Sequence, residues 1–221
     1  MKRRSRLLSA TAAVIAALVV ATPAAAAPAA TGDIRPYAIV ESGEYHLDVD
    51  YSGGALTLDL KQWTGSDDLS PASTLLRLLP SSARTVPSGS QWACLGPAGA
   101  TVYIAPQAQD PNLLWLGWNA VDVPAAQGPV RMELVGFEGP PGSWFTIYNT
   151  QALGTPSFKL NTYGGFGCPV SVWPSGLTAG TYGVANWAFS HQGNYSLKFR
   201  ATAQNGAGAT SGIVTYTFHV G

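Results

Sequence analysis

The sequence predicts an all-β protein, an antiparallel β-sandwich with an immunoglobulin-like C-terminal part. Three observations carry that reading. Apolar and polar residues alternate with period two through most of the chain after Glu44. No stretch beyond the apolar run near the start keeps a helical period for three turns. The 25 glycines and 16 prolines show no collagen-like repeat and separate the alternating segments as turns.

The chain opens on Lys2, Arg3, Arg4 and Arg6, followed by an apolar run from Leu7 to Val20 and the small residues Ala24 to Ala27. This is the order of an export signal, and the run is short and alanine-rich for a bilayer core of about 30 Å. Pro28 disfavours a cut directly before it, so the expected signal peptide is residues 1–26. An N-terminal extension over 27–43 and a β-sandwich domain over 44–221 follow. The last part reads as one long sandwich or as two β subdomains meeting near Gly128 and Pro129. No later segment is apolar enough to span a membrane, so the expected location is secreted or extracellular, with association to the cell surface through a partner.

Charge narrows the partners. The full chain has 12 basic and 12 acidic residues, but four of the basic ones lie in the leader. Twelve less four leaves eight against twelve, a net charge of −4 after export. No basic patch remains for phosphates, which argues against nucleic acid.

In the first hairpin, Tyr45, Leu47, Val49 and Tyr51 alternate with Glu44, His46, Asp48 and Asp50. After Ser52-Gly53-Gly54, the apolar Leu56, Leu58 and Leu60 alternate with Thr57, Asp59 and Lys61. One wet face is expected. Further strands are predicted over 74–79, 101–105, 113–118, 130–137, 143–149, 157–160, 181–189, 194–203 and 213–220. In the last two, Tyr195, Leu197, Phe199 and Ala201 form one apolar face and Val214, Tyr216, Phe218 and Val220 the inward face of the final strand, and Tyr195 sits where such folds return a tyrosine hydroxyl to backbone.

Catalytic patterns are missing. There is no Gly-x-Ser-x-Gly elbow, no His-Glu-x-x-His and no phosphate-cradling Gly-Lys-Ser/Thr. His191 and His219 stand at strand ends, and Asp67-Asp68 fall in an expected loop. The chain therefore reads as a binding protein and not an enzyme. Cys94 and Cys168 are the only cysteines, an even pair in an exported chain, which predicts a disulfide. Closing a loop of about 74 residues contributes about 4 kcal/mol through the entropy of the unfolded chain.

Two sets of side chains are candidate binding groups. His46, Asp48 and Asp50 share one strand face, with Asp59 across the hairpin. An imidazole and carboxylates at this spacing hold a divalent cation only when a further ligand arrives from elsewhere. The plainer reading is a solvated outer face. The aromatics are the second set. Trp115 and Trp187 lie in apolar strands and read as core, whereas Trp63, Trp92 and Trp173 lie near turns, free to stack on sugar rings as in a carbohydrate-binding module.

Several segments together resemble the actinobacterial surface-anchored repeat family, the choice-of-anchor M domain proteins. They are Tyr45-His46-Leu47-Asp48-Val49, Leu113-Leu114-Trp115-Leu116-Gly117, Gly142-Ser143-Trp144-Phe145-Thr146-Ile147-Tyr148, Gly154-Thr155-Pro156, and Asn186-Trp187-Ala188-Phe189 followed by Gly193-Asn194-Tyr195. The resemblance implies a secreted or wall-attached β domain acting as substrate receptor or relay for a metal-type ABC transporter, with that transporter component or a cell-wall element as partner. His46 and Asp48 match the family's first strand, with Asn186 and Trp187 as support beside them. The family's His-x-His pair is replaced here by Tyr182-Gly183-Val184. No cofactor is therefore expected, and any divalent-metal binding should be weak and centred on His46.

Overall fold

The computed structural model describes residues 37–65, 68–164, 167, 168, 176–206 and 208–221. The expected signal peptide, Asp67 and Trp173 lie outside the described residues. Among the described residues there are fifteen strands: β1 (Ala38–Val40), β2 (Gly43–Ser52), β3 (Ala55–Gln62), β4 (Asp68–Leu69), β5 (Thr74–Leu78), β6 (Ala83–Thr85), β7 (Thr101–Ala105), β8 (Leu114–Asn119), β9 (Val130–Glu138), β10 (Phe145–Thr150), β11 (Pro156–Asn161), β12 (Tyr182–Val184), β13 (Asn186–Phe189), β14 (Gly193–Ala203) and β15 (Val214–Val220). They form three five-stranded sheets, ordered β1-β5-β15-β14-β9, β11-β10-β13-β7-β6 and β12-β8-β2-β3-β4. Antiparallel pairing dominates, as the sequence predicts, but β2 runs parallel to β8, and β5 runs parallel to both β1 and β15. The fold is an all-β sandwich.

The first hairpin turns where its sequence allows. Gly53 and Gly54 both take positive φ, 60° and 85°, the backbone that a two-residue hairpin turn of matching twist requires. From that turn the ladder runs from Ser52–Ala55 to Tyr45–Gln62 without a register shift. Leu47, Val49, Leu56, Leu58 and Leu60 enter one core together with Trp187, Phe199, Tyr216 and Phe218. That core draws side chains from all three sheets and from both sides of Gly128–Pro129.

The immunoglobulin-like features of the last third are present. Tyr195, Leu197, Phe199 and Ala201 are buried, opposite Tyr216, Phe218 and Val220. The Tyr195 hydroxyl donates to the His191 carbonyl at 2.8 Å and accepts from the His191 N–H at 3.1 Å, closing the corner before β14.

Ala38–Val40, within the expected N-terminal extension, pairs with Thr74–Leu76 as an edge strand. Two local expectations are corrected. Asp68, expected in a loop, opens β4 and pairs with Lys61. The single strand expected over 181–189 is two strands in different sheets: β12 pairs with β8, and β13 pairs with β10 and β7. The chain crosses from sheet to sheet at Ala185, whose N–H bonds to the Leu116 carbonyl at 3.1 Å. Strands that change sheets in this way make the corners of a sandwich.

Cys94 and Cys168 form the expected disulfide, with Cα atoms 5.6 Å apart. It anchors the 3₁₀ segment Ser90–Leu95, whose Cys94 carbonyl also accepts from Thr146 Oγ1 at 3.2 Å and from Asn161 Nδ2. Among the described residues no helix is long and apolar enough to cross a membrane.

Candidate functional site

The hairpin face expected to be wet is dry at its centre. His46 and Asp48 are fully buried, as are Tyr45, Leu47 and Val49 on the opposite face. The reason is position: β2 is the middle strand of its sheet, and side chains from β3, β8 and β12 close over it. Register places Gly117 and Lys61 beside His46, and Asn119 and Asp59 beside Asp48.

His46 Nε2 lies 2.8 Å from Glu44 Oε1 on the same strand face. Its ring packs against Trp63, centroids 4.8 Å apart, and stacks on Tyr182 at 5.9 Å. Burial lowers the imidazole pKa to about 4, so the ring is neutral near pH 7 and donates Nε2–H to the Glu44 carboxylate, whose own pKa burial raises. Nδ1 is buried without a partner. Gly117 makes room for the ring: a Cβ there would sit 2.8 Å from His46 Cδ2 and 2.9 Å from Nε2, and would also collide with the Gly183 carbonyl. Gly117→Ala is therefore expected to cost about 2 kcal/mol by overpacking, read as a lowered urea midpoint. An unchanged midpoint would show that both the ring and the Gly183 carbonyl give way without cost.

Asp48 accepts from Asn119 Nδ2 through Oδ1 and from Lys61 Nζ at 3.4 Å through Oδ2. Burial raises its pKa to about 6, Asp50 adds to the rise, and Lys61 and Asn119 oppose it. Asp50 is half-buried; its pKa is also raised, by burial first and by Asp122 next. Asp59 shares the face, and its backbone carbonyl accepts from the Tyr216 hydroxyl at 2.9 Å.

Whether these groups could hold a metal ion turns on how many ligands meet at one point. Among the described residues no three His, Cys, Asp or Glu side chains converge on a point where a metal ion could sit. Both Asp48 oxygens are engaged, and the two positions where imidazoles are expected hold a phenol and an isopropyl group. The free Nδ1 of His46 is one ligand without companions. Asn186 and Trp187 are not beside His46. Asn186, on β13, accepts the Gln107 N–H at 2.8 Å and donates to Thr150 Oγ1 at 3.1 Å, while Trp187 is core among Phe145, Phe199 and Phe218. Ser190 and His191 touch at 2.8 Å, but Ser190 Oγ already accepts from the Trp144 N–H, and among the described residues no carboxylate orients His191.

What the buried polar pair supports is aromatic. Trp63 and Tyr182 are 37% and 53% exposed, with ring centroids 4.2 Å apart, and they lie directly over His46. The turn after β3 supplies Trp63, held by its N–H to the Glu44 carbonyl at 3.1 Å, and β12 supplies Tyr182. Trp63 carried a sequence signal, an aromatic next to a turn. Glu44, Asn119 and the exposure of Tyr182 did not, because each depends on which strands become neighbours. Trp115, expected in the core, is only half-buried and donates Nε1–H to the Gln107 carbonyl at 2.7 Å. No protein-family model, curated protein or solved structure matches this chain.

Proposed function

We propose that this chain is a non-enzymatic binding domain exported to the cell exterior, and that it holds a carbohydrate against Trp63 and Tyr182. The carrying observation is the exposed aromatic pair seated on a buried, neutral imidazole. A pyranose presents a flat C–H face that packs on the electron-rich face of an aromatic ring. Its hydroxyls then meet Lys61, which pairs with His46 across the hairpin on the same face. Export rests on the leader pattern and on a disulfide of the kind that persists in oxidising compartments.

The test is a pull-down of the mature protein on insoluble polysaccharides, peptidoglycan included, beside a glycan array. Retention reduced about tenfold or more by Trp63→Ala, with the near-UV spectrum otherwise unchanged, is the expected result. Retention by no glycan, or retention indifferent to both Trp63→Ala and Tyr182→Ala, refutes the aromatic face.

A receptor or relay role beside a transporter is the second reading. It rests on the resemblance of the first strand at His46 and Asp48, and Tyr182, standing where that resemblance expects an imidazole, weighs against it. Zinc titration distinguishes the two. Submicromolar affinity abolished by His46→Ala supports the relay, and millimolar or weaker affinity removes it.

A further inference from the structure

The sheet β11-β10-β13-β7-β6 is covered on both faces. Its second face carries a small core of Val86, Leu95, Val102, Ile104, Tyr148 and Ala188, roofed by the Ser90–Leu95 segment that the disulfide anchors. Between roof and sheet lies a cavity of about 260 Å³, lined by Arg84, Pro87, Trp92, Leu95, Tyr148 and Asn186 among others.

The polar groups there are unbalanced. Tyr148 is 4% exposed, yet among the described residues its hydroxyl has no hydrogen-bond partner. Burial raises its pKa to about 12, so it remains an O–H donor at any physiological pH. The indole N–H of Trp92 likewise meets no acceptor among the described residues, its ring standing edge-on to Tyr148 at 6.0 Å. Arg84 Nη1 donates to the carbonyls of Ser81 and Ala83 at 2.9 and 2.8 Å, but no carboxylate among the described residues neutralises the guanidinium. Asn186 is committed to Gln107 and Thr150. No acidic side chain lines the cavity.

Unused donors and a positive charge beside apolar and aromatic walls select a complementary ligand, with acceptors and a negative charge at one end and a flat hydrocarbon body at the other. We propose that this cavity is a second binding site, taking a small apolar carboxylate. The carboxylate meets Arg84 in a charge-assisted hydrogen bond, and the apolar body packs between Trp92 and Leu95 over the sheet. The cavity's size sets the scale of the ligand at one aromatic ring with a short acid side chain. A phosphate would find too much apolar wall and too few donors.

The probe is sodium phenylacetate, with phenylacetamide as its uncharged match, titrated into the mature protein by ligand-observed NMR. Phenylacetate is expected to bind saturably and at least about tenfold more tightly than the amide. Arg84→Gln, an exposed position, should abolish that preference while the protein stays folded. Tyr148→Phe should weaken acid binding several-fold without the loss of packing that alanine would bring. Leu153→Ala, at an exposed turn position outside the cavity lining, should leave phenylacetate binding unchanged. Absent saturation, equal affinity for acid and amide, or an Arg84→Gln protein that keeps the preference each overturns the site.

Discussion

Replacing both Cys94 and Cys168 with serine is expected to lower stability by about 4 kcal/mol. The bridge spans a separation of 74 residues, and removing it returns that loop's entropy to the unfolded chain. With a urea m-value of about 2 kcal/mol/M, the midpoint should fall by about 2 M. The native fold should survive under mild conditions, because the Ser90–Leu95 segment keeps three other anchors. Thr146 and Asn161 donate to the Cys94 carbonyl, and Trp144 Nε1 donates to the Leu95 carbonyl at 3.2 Å. A midpoint shift below about 0.5 M would mean that the cross-link constrains the unfolded chain far less than its span implies.

The second large effect is a pair of opposite pH dependences within one buried face. Asp48 has a folded pKa raised from 3.8 to about 6, so its contribution to stability is fully present below pH 3.8 and is lost as pH rises through 6. His46 has a folded pKa lowered from 6.5 to about 4, so its contribution is present above pH 6.5 and is lost as pH falls through 4. Each amounts to about 2 to 3 kcal/mol across the pH 7 to 4 window. On going from pH 7 to pH 4, Asp48→Asn should therefore lose about that much stability relative to the wild-type protein. His46→Phe should gain about as much relative to it. In the wild-type protein the two slopes largely cancel. Urea denaturation of the three proteins at pH 7, 5.5 and 4 reads the differences directly, and parallel profiles would show that neither group is desolvated on folding.

Most of the strand pattern was legible from alternation. The segments expected over 74–79, 101–105 and 130–137 differ from β5, β7 and β9 by a residue at most. The Tyr195 corner was legible as well, because its partner lies four residues away in the chain. The site was legible only in outline. His46 and Asp48 were found, but alternation assigned them to water, since a period of two says which residues share a face and not whether that face is covered. The strand expected over 181–189 shows a related limit. Its apolar pattern is continuous, so nothing in it announces that Tyr182 joins His46 while Asn186 and Trp187 join another sheet.

By itself, then, the sequence determined an all-β sandwich, the hairpin register set by its two glycines, the disulfide, and a chemistry without the usual catalytic motifs. These follow from side-chain period, turn residues and cysteine parity, all of which act over short stretches or by simple count. Only the tertiary structure decided that β2 is a central strand, that β8 lies parallel to it, and that β12 brings Tyr182 over His46. Those outcomes depend on pairings between segments 63 to 71 residues apart, where burial of the shared core selects among many locally equivalent arrangements. The same long-range pairing turned an expected solvated imidazole into a neutral, buried one, because desolvation is a property of what closes over a residue and not of its neighbours in the chain.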